Sequence, residues 1–328
     1  MQCAVIGAGA WGTALADLLA RNEHSVRLWA YEADVVDSVN RKHENVRFLR
    51  DHPLAPTLRA VGDLREVAED AELIFFATPS HVLRTIAKAA APGIAGSVPL
   101  VVATKGIEKD TLSLMTEVVE QECADNTVIA LSGPSFASEV VSRQPTAVVV
   151  ASRNEDDAEI AQRALSSPSF RAYSHTDVTG VELGGALKNV MAVATGIAEG
   201  LGLGFNARAA LITRGLAEMT RLGVALGAEE TTFAGLGDLV LTCTGSLSRN
   251  RSVGVEVGKG RQLDDVLRDR ETVAEGVFAA QCARALAMRE GVEMPIVDTV
   301  NRVLFEGQPA RSAIAALMTR ELRAEVDR

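Results

Sequence analysis

Histidine, cysteine and net positive charge are scarce in this chain of 328 residues. Its five histidines, His24, His43, His52, His81 and His175, are scattered, and none has metal-ligand spacing. We therefore expect neither a metal nor a histidine base. Cys3, Cys123, Cys243 and Cys282 lie far apart and form no CxxC pair. That argues against a zinc site or a disulfide framework and for reduced thiols in a cytosolic protein. Lys and Arg total 33 against 43 Asp and Glu, a formal net charge of −10. A nucleic-acid partner is not expected of a chain without a basic excess. No apolar run reaches the ~18–20 residues that a membrane span needs. The alanine-rich stretch Ala87–Ala91 is interrupted by Lys88 and ends at Pro92. The first residues carry no basic segment or cleavage site, so no signal peptide is expected and the anticipated location is cytoplasmic.

What is present is ordinary globular composition, 47% hydrophobic and 23% charged, in a length that usually divides into about two domains. Short apolar runs at Cys3–Gly7, Ser25–Ala30, Leu73–Ala77, Leu100–Ala103 and Val128–Ser132 read as strands. Helical patterns at Trp11–Arg21, Val82–Ala91 and Leu112–Cys123 lie between several of them. Buried parallel strands read as unbroken apolar runs joined by helical crossovers. The first half is therefore expected to be an α/β, Rossmann-like doubly wound sheet. Beyond about Asp177 the pattern is helical only, at Gly180–Leu201, Ala207–Leu226, Glu275–Glu290 and Pro295–Phe305. An all-α C-terminal domain follows from this. The predicted division is 1–175 for the dinucleotide-binding domain and 176–328 for a helical catalytic domain.

Gly7-Ala8-Gly9-Ala10-Trp11-Gly12 is a G-x-G-x-x-G placed directly after the first strand, with a helix starting inside it. Gly7 permits the tight turn, Gly9 lets the backbone approach a pyrophosphate, and Gly12 lets helix and strand pack closely. The helix N-terminus, at Ala10 and Trp11, offers N–H groups and partial positive charge to phosphates. In this strand–turn–helix setting the motif points to NAD or NADP. Glu32 stands near the position that holds a ribose hydroxyl, and it also suits a solvated helix start. Tyr31 has two readings, stacking on adenine or covering the sheet edge. Arg27, Arg41 and Lys42 are read as surface charges before a 2′-phosphate site. Ala77-Thr78-Pro79-Ser80-His81 ends another strand on the side where doubly wound sheets bind ligands, and Pro79 and Ser80 also suit a helix start.

Three cations draw attention. Lys188 lies inside an apolar helical pattern, where a buried charge is costly unless used, though a long side chain also reaches solvent from such a place. Lys105 follows the Leu100–Ala103 run, again at the ligand-binding edge, and also suits an ordinary turn before Gly106. Ser248-Arg249-Asn250-Arg251 supplies a guanidinium fork, an amide and a hydroxyl, a set suited to phosphate. Arg251 is read as a surface charge.

The long stretch from Gly180 to Asn206, GVELGGALKNVMAVATGIAEGLGLGFN, resembles the signature of NAD(P)-dependent glycerol-3-phosphate dehydrogenases. GAGAWGTALA from Gly7, TPSH from Thr78, TKGI from Thr104 and SGPSFASE from Ser132 agree in order. So do ARAALITR from Ala207, GLGDLVLTCT from Gly235 and SRNR from Ser248. The resemblance implies interconversion of dihydroxyacetone phosphate and sn-glycerol 3-phosphate, supplying glycerol phosphate for phospholipid synthesis. It implies that Lys188 is the acid and base, with Lys105, Asp238 and Asn189 completing the catalytic set. It assigns Gly133, Ser135, Ser248, Arg249 and Asn250, with both lysines and Asp238, to substrate. It places Ala137, Val273 and Glu275, with Tyr31, Lys105 and Arg249, at the cofactor. Those three substrate cations are expected to meet on one three-carbon phosphate, and a homodimer is an open expectation. Asp238 would raise a lysine pKa by attraction, so it is expected to orient more than tune, or to be balanced by Lys105. Thr242, one helical turn further on, is a candidate for the same face.

Two departures stand out. Thr232-Phe233-Ala234 runs directly into Gly235, about three residues short of the usual stretch. Tyr31 stands where many bacterial members carry Arg or His, which leaves NAD or NADP open. The competing readings are a β-hydroxyacid dehydrogenase of related architecture, which the phosphate-binding Ser248–Asn250 and the long signature disfavour, and a non-catalytic nucleotide sensor, which would not need Lys188, Lys105 or Arg249.

Overall fold

The structure, a computed structural model, describes residues 1–229, 234–270, 274–319 and 321. Eight strands form one sheet: β1 Gln2–Ile6, β2 Ser25–Trp29, β3 Arg59–Val61, β4 Leu73–Phe76, β5 Leu100–Val102, β6 Val128–Ser132, β7 Thr146–Ala151 and β8 Phe170–His175. Their order is β3-β2-β1-β4-β5-β6-β7-β8. All neighbours are parallel except β6 and β7. The chain winds outward from β1 through β2 to β3, then returns to β4 on the other side, so strand order reverses between β1 and β4. Ligands of doubly wound sheets bind at such a switch point, beyond the carboxyl ends of the strands.

Register aligns those ends. Ile6 pairs with Trp29 and with Phe76, Phe76 with Val102, and Val102 with Ala130. The segments beginning at Gly7, Ala77, Ala103 and Leu131 therefore run on along one edge. Both faces of the sheet are packed. Val5, Leu28, Phe75 and Ile129 join Leu15 and Leu19 of the helix Ala10–Arg21 on one face. Ile6, Ile74 and Phe76 meet Leu83, Met115 and Val118 on the other. Double-sided burial is why β1, β4, β5 and β6 were legible as continuous apolar runs.

The sequence reading located five strands and missed three. β3 has only three residues. β8, Phe-Arg-Ala-Tyr-Ser-His, lies at the sheet edge and buries only Phe170 and Ala172 fully. β7 turns antiparallel to β6, a change of direction that no local pattern encodes.

The chain divides into two compact units, Met1–Ala186 with Leu226–Asp238, and Leu187–Ala225 with Leu239–Arg328. In the first, Glu182 of the helix Val178–Gly200 is fully buried. Its carboxyl accepts from the Thr116 amide at 2.7 Å and the Thr116 hydroxyl at 2.6 Å. Burial pushes its pKa up to about 7 against these bonds.

The second unit is helical. Close approach is set by glycines: a Cβ on Gly196 would meet the Arg251 carbonyl at 2.1 Å, and one on Gly254 the Val193 carbonyl at 2.2 Å. Glu218, on the helix Phe205–Ala225, accepts from the amides of Ile296 and Val297 at the start of the helix Pro295–Phe305. Burial raises its pKa too, to about 7.

Candidate active site

The glycine turn is built as its sequence predicts. Gly7 has φ +119°, closed to L side chains, and a Cβ there would stand 2.8 Å from the Ala77 carbonyl. A Cβ on Gly12 would meet the Gly7 carbonyl at 1.8 Å. Gly9 differs, because a Cβ there would meet nothing within 4 Å. Gly9 is also the N-cap of the helix Ala10–Arg21, with no side-chain cap and no acidic residue in the first turn. The amides of a helix's first turn lack intrahelical partners and carry its positive pole. Open space beside Gly9 and uncapped donors at Ala10 and Trp11 fit a dinucleotide pyrophosphate. Among the described residues the buried Trp11 indole nitrogen has no hydrogen-bond partner.

Tyr31, past the end of β2, is 83% exposed and meets Trp29 edge-on at 6.5 Å. Such exposure leaves its ring available for stacking. Glu32 is the N-cap of the helix Ala33–Lys42, and its side chain makes no capping hydrogen bond. Arg27 donates to the carbonyls of Glu66 and Glu69. Arg41 pairs with Asp37, and Lys42 lies 4.0 Å from Glu44.

Lys105 follows β5. Its Nζ donates to Asp238 Oδ2 at 2.7 Å and to the Gly133 carbonyl at 3.1 Å. Asp238 lies on the helix Ala234–Thr244. The balance expected between Asp238 and Lys105 is thus present as an ion pair. Gly133 takes φ +136°, and its carbonyl also accepts from Ser135 Oγ at 3.0 Å. Ala137 opens the short helix Ala137–Val141. Sequence reasoning missed the support of this loop: Arg84 donates to both oxygens of Glu108, at 2.8 and 2.7 Å, and to Glu122 at 2.7 Å. Glu108 stands three residues after Lys105, and the guanidinium holds its carboxyl below the usual range.

In the second unit Lys188 is 8% exposed, and its Nζ donates to Thr242 Oγ1 at 3.0 Å. The alternative of a lysine reaching out to solvent is therefore excluded. Asn189 Oδ1 accepts from Asn250 Nδ2 at 2.8 Å, and Asn250 Oδ1 accepts from the Gly276 amide at 3.0 Å. This chain of amides was not foreseen. Ser248 caps the helix Arg249–Gly258 by accepting from the Arg251 amide at 3.2 Å. Arg249 is exposed, and among the described residues its guanidinium has no hydrogen bond or ion pair. Surrounding protein desolvates it enough to lower its pKa, opposed by the charge of Glu275, the first residue of the helix Glu275–Arg289.

Arg251 corrects an expectation. It is no surface charge: its side chain is 13% exposed, pairs with Glu199 and donates to the Gly245 carbonyl at 3.1 Å. Val273 and the shortened stretch at Thr232 and Phe233 lie outside the described residues. Among the described residues no group of His, Cys, Asp and Glu could hold a metal.

A doubly wound sheet whose first strand ends in this glycine turn at the switch point defines a dinucleotide-dependent oxidoreductase frame. The particular family follows from comparison. Family models for the N-terminus and the C-terminus of NAD-dependent glycerol-3-phosphate dehydrogenase match residues 2–158 and 177–315. Proteins named glycerol-3-phosphate dehydrogenase [NAD(P)+] from Syntrophotalea carbinolica and Geobacter sulfurreducens are 52% and 54% identical. The first alignment covers 100% of both chains, the second 98% of each. The crystal structure of glycerol-3-phosphate dehydrogenase from Coxiella burnetii superposes with a TM-score of 0.93 at 41% identity, covering 97% of this chain and 99% of that one. The chain belongs to the NAD-dependent glycerol-3-phosphate dehydrogenase family and is an NAD(P)-dependent oxidoreductase.

Proposed function

We propose that the chain interconverts dihydroxyacetone phosphate and sn-glycerol 3-phosphate, with Lys188 as the proton donor and acceptor. Reducing the C2 ketone adds a hydride to carbon and a proton to oxygen. When bound, NADH or NADPH supplies the hydride. Lys188 protonates the forming alkoxide and, in reverse, takes the proton from the C2 hydroxyl. The observation that supports this reading is a lysine only 8% exposed on an apolar helix, its Nζ donating to the Thr242 hydroxyl.

Lys105, steadied by Asp238 and the Gly133 carbonyl, holds the substrate oxygens and sits beside the nicotinamide. Asn189 sets the geometry of Asn250 through their shared hydrogen bond. Arg249 binds the phosphate bidentately, and Ser248 and Asn250 contribute hydroxyl and amide donors. Gly133 and Ser135 complete the substrate contacts. Gly7, Gly9, Ala10, Trp11, Gly12, Tyr31, Ala137, Val273 and Glu275, with Lys105 and Arg249, bind the cofactor.

The division into a cofactor half, 1–175, and a catalytic half, 176–328, is supported by family models that stop at 158 and resume at 177. The product feeds phospholipid synthesis. A cytoplasmic site accords with four free, buried cysteines. A homodimer accords with exposed apolar side chains such as Phe205, 82% exposed.

Oxidation of NADH and NADPH, each with dihydroxyacetone phosphate and with a panel of 3-hydroxy and 3-oxo acids, tests the reading. Turnover of the phosphate with either cofactor is expected. Turnover confined to the acids, or binding of NADH without turnover, would overturn it.

A further inference from the structure

Asn45 lies in the segment after the helix Ala33–Lys42, far in sequence from the glycine turn and absent from every motif that points to the cofactor. It is fully buried. Its Nδ2 donates to the Ala8 carbonyl at 2.9 Å and to Thr13 Oγ1 at 2.8 Å. Thr13, itself fully buried, donates its hydroxyl to the same Ala8 carbonyl at 3.2 Å. Asn45 Oδ1 accepts from the amides of Arg47 and Phe48 at 3.2 and 3.0 Å. Both protons and the oxygen of this amide are thus in use.

Ala8 is the second residue of the G-x-G-x-x-G. A trans peptide is planar, so the carbonyl of one residue and the amide of the next point in opposite directions. No described peptide is cis. Holding the Ala8 oxygen toward Asn45 therefore fixes the Gly9 amide to point away from it. Gly9 is also the glycine at which a Cβ would meet open space.

We infer that Asn45 is a positioning residue for the dinucleotide: with Thr13 it clamps the Ala8 carbonyl and so aims the Gly9 amide at the pyrophosphate. The inference rests on the cofactor reading above and extends it to a residue that need not touch the cofactor. Its signature is selective, since aiming one amide bears on the cofactor and not on dihydroxyacetone phosphate. A residue that merely packed the segment would lower the melting temperature and leave affinity alone.

The test compares Asn45→Ala, Asn45→Asp and Thr13→Val in the full-length chain. Asp keeps the acceptor for Arg47 and Phe48 but sets an oxygen against the Ala8 oxygen. Thr13→Val keeps shape and Asn45 while removing the hydroxyl, and it is the gentlest change. NADH Kd is measured by fluorescence titration, alongside thermal melting and the KM for dihydroxyacetone phosphate at saturating NADH. The Asn45 variants are expected to raise the NADH Kd by about tenfold, the scale of one buried hydrogen bond. Thr13→Val should raise it by about threefold, while the substrate KM moves less than the cofactor Kd in every case. A folded Asn45→Ala protein with wild-type NADH Kd would overturn the inference. If neither Asn45 variant folds, Thr13→Val decides: a raised Kd supports the clamp and an unchanged one rejects it. Failure of the wild-type chain itself to bind NADH or NADPH would instead strike at the proposed function.

Discussion

Lys105 and Asp238 stand 2.7 Å apart, and their burial is unequal: the aspartate side chain is 1% exposed and the lysine 18%. The carboxylate is thus neutralised by a cation that water, and hence a ligand, can still reach. Removing either partner therefore affects the other differently. Lys105→Met leaves a deeply buried carboxylate without this ammonium and is expected to cost about 3 kcal/mol of stability. Asp238→Asn leaves a lysine that keeps the Gly133 carbonyl and some solvent, and should cost about 1 kcal/mol. Urea unfolding of both variants checks the order; equal losses would contradict the asymmetry. Both should lose most turnover, because the ammonium is lost in one and unanchored in the other.

Lys188→Ala should lower kcat by about a thousandfold, within the range that a general acid contributes, while NADH Kd changes little. Near-wild-type kcat would remove Lys188 from the chemistry. Thr242→Val keeps the ammonium but deletes its 3.0 Å acceptor. It should lower kcat by about tenfold and shift the pH–rate profile, which a purely packing role for Thr242 would leave in place.

The contrast between these residues shows what was legible in the sequence. The glycine turn was, because strand, turn and helix are contiguous and each is marked by its own residue pattern. The strands buried on both faces were, for the same local reason. The amide chain from Asn189 to Asn250 was not, since its members are 61 residues apart. Arg251 was misread because the carboxylate that holds it, Glu199, is 52 residues away. Arg84 and Asn45 likewise act through partners that only the fold supplies. Local pattern and the family resemblance marked the candidate residues, whereas the non-local contacts that hold them are visible only in the fold.

Arg249→Ala is expected to raise the KM for dihydroxyacetone phosphate by about a hundredfold, the scale of one charge-assisted bidentate contact. Stability should barely change, because among the described residues the guanidinium has no hydrogen bond or ion pair to lose. Steady-state kinetics and thermal melting together test this. An unchanged KM would reject Arg249 as the phosphate ligand.

Glu182 and Glu218 predict a pH dependence of stability with an uncommon sign. Burial raises each from 4.5 to about 7. Between those values the unfolded chain releases a proton that the folded chain retains, so stability falls as pH rises. The contribution is complete below about pH 4.5 and gone once pH has passed about 7. Each carboxyl should account for a few kcal/mol across that window, on the order of 3 at most. Chemical denaturation at pH 5 and pH 8 should therefore show a smaller difference for Glu182→Gln and for Glu218→Gln than for the wild type. An undiminished difference in both variants would show that other groups set the dependence.

Gly9 and Gly12 differ in what a methyl group would meet, and that difference separates binding from folding. In Gly12→Ala the new Cβ would lie 1.8 Å from the Gly7 carbonyl, which is backbone and cannot swing aside. The first helix would have to retreat from β1, so a large loss of stability is expected, above about 3 kcal/mol. In Gly9→Ala the Cβ enters open space, at a φ of −64° that alanine adopts freely. The apo protein should keep its melting temperature within a few degrees. The same methyl would occupy the space through which a pyrophosphate approaches, so NADH Kd should rise by about tenfold or more. Melting curves and NADH titrations on the two variants give the test. A Gly9→Ala protein that is stable and binds NADH normally would mean that the phosphates lie elsewhere, and with them the orientation of the nicotinamide relative to Lys105.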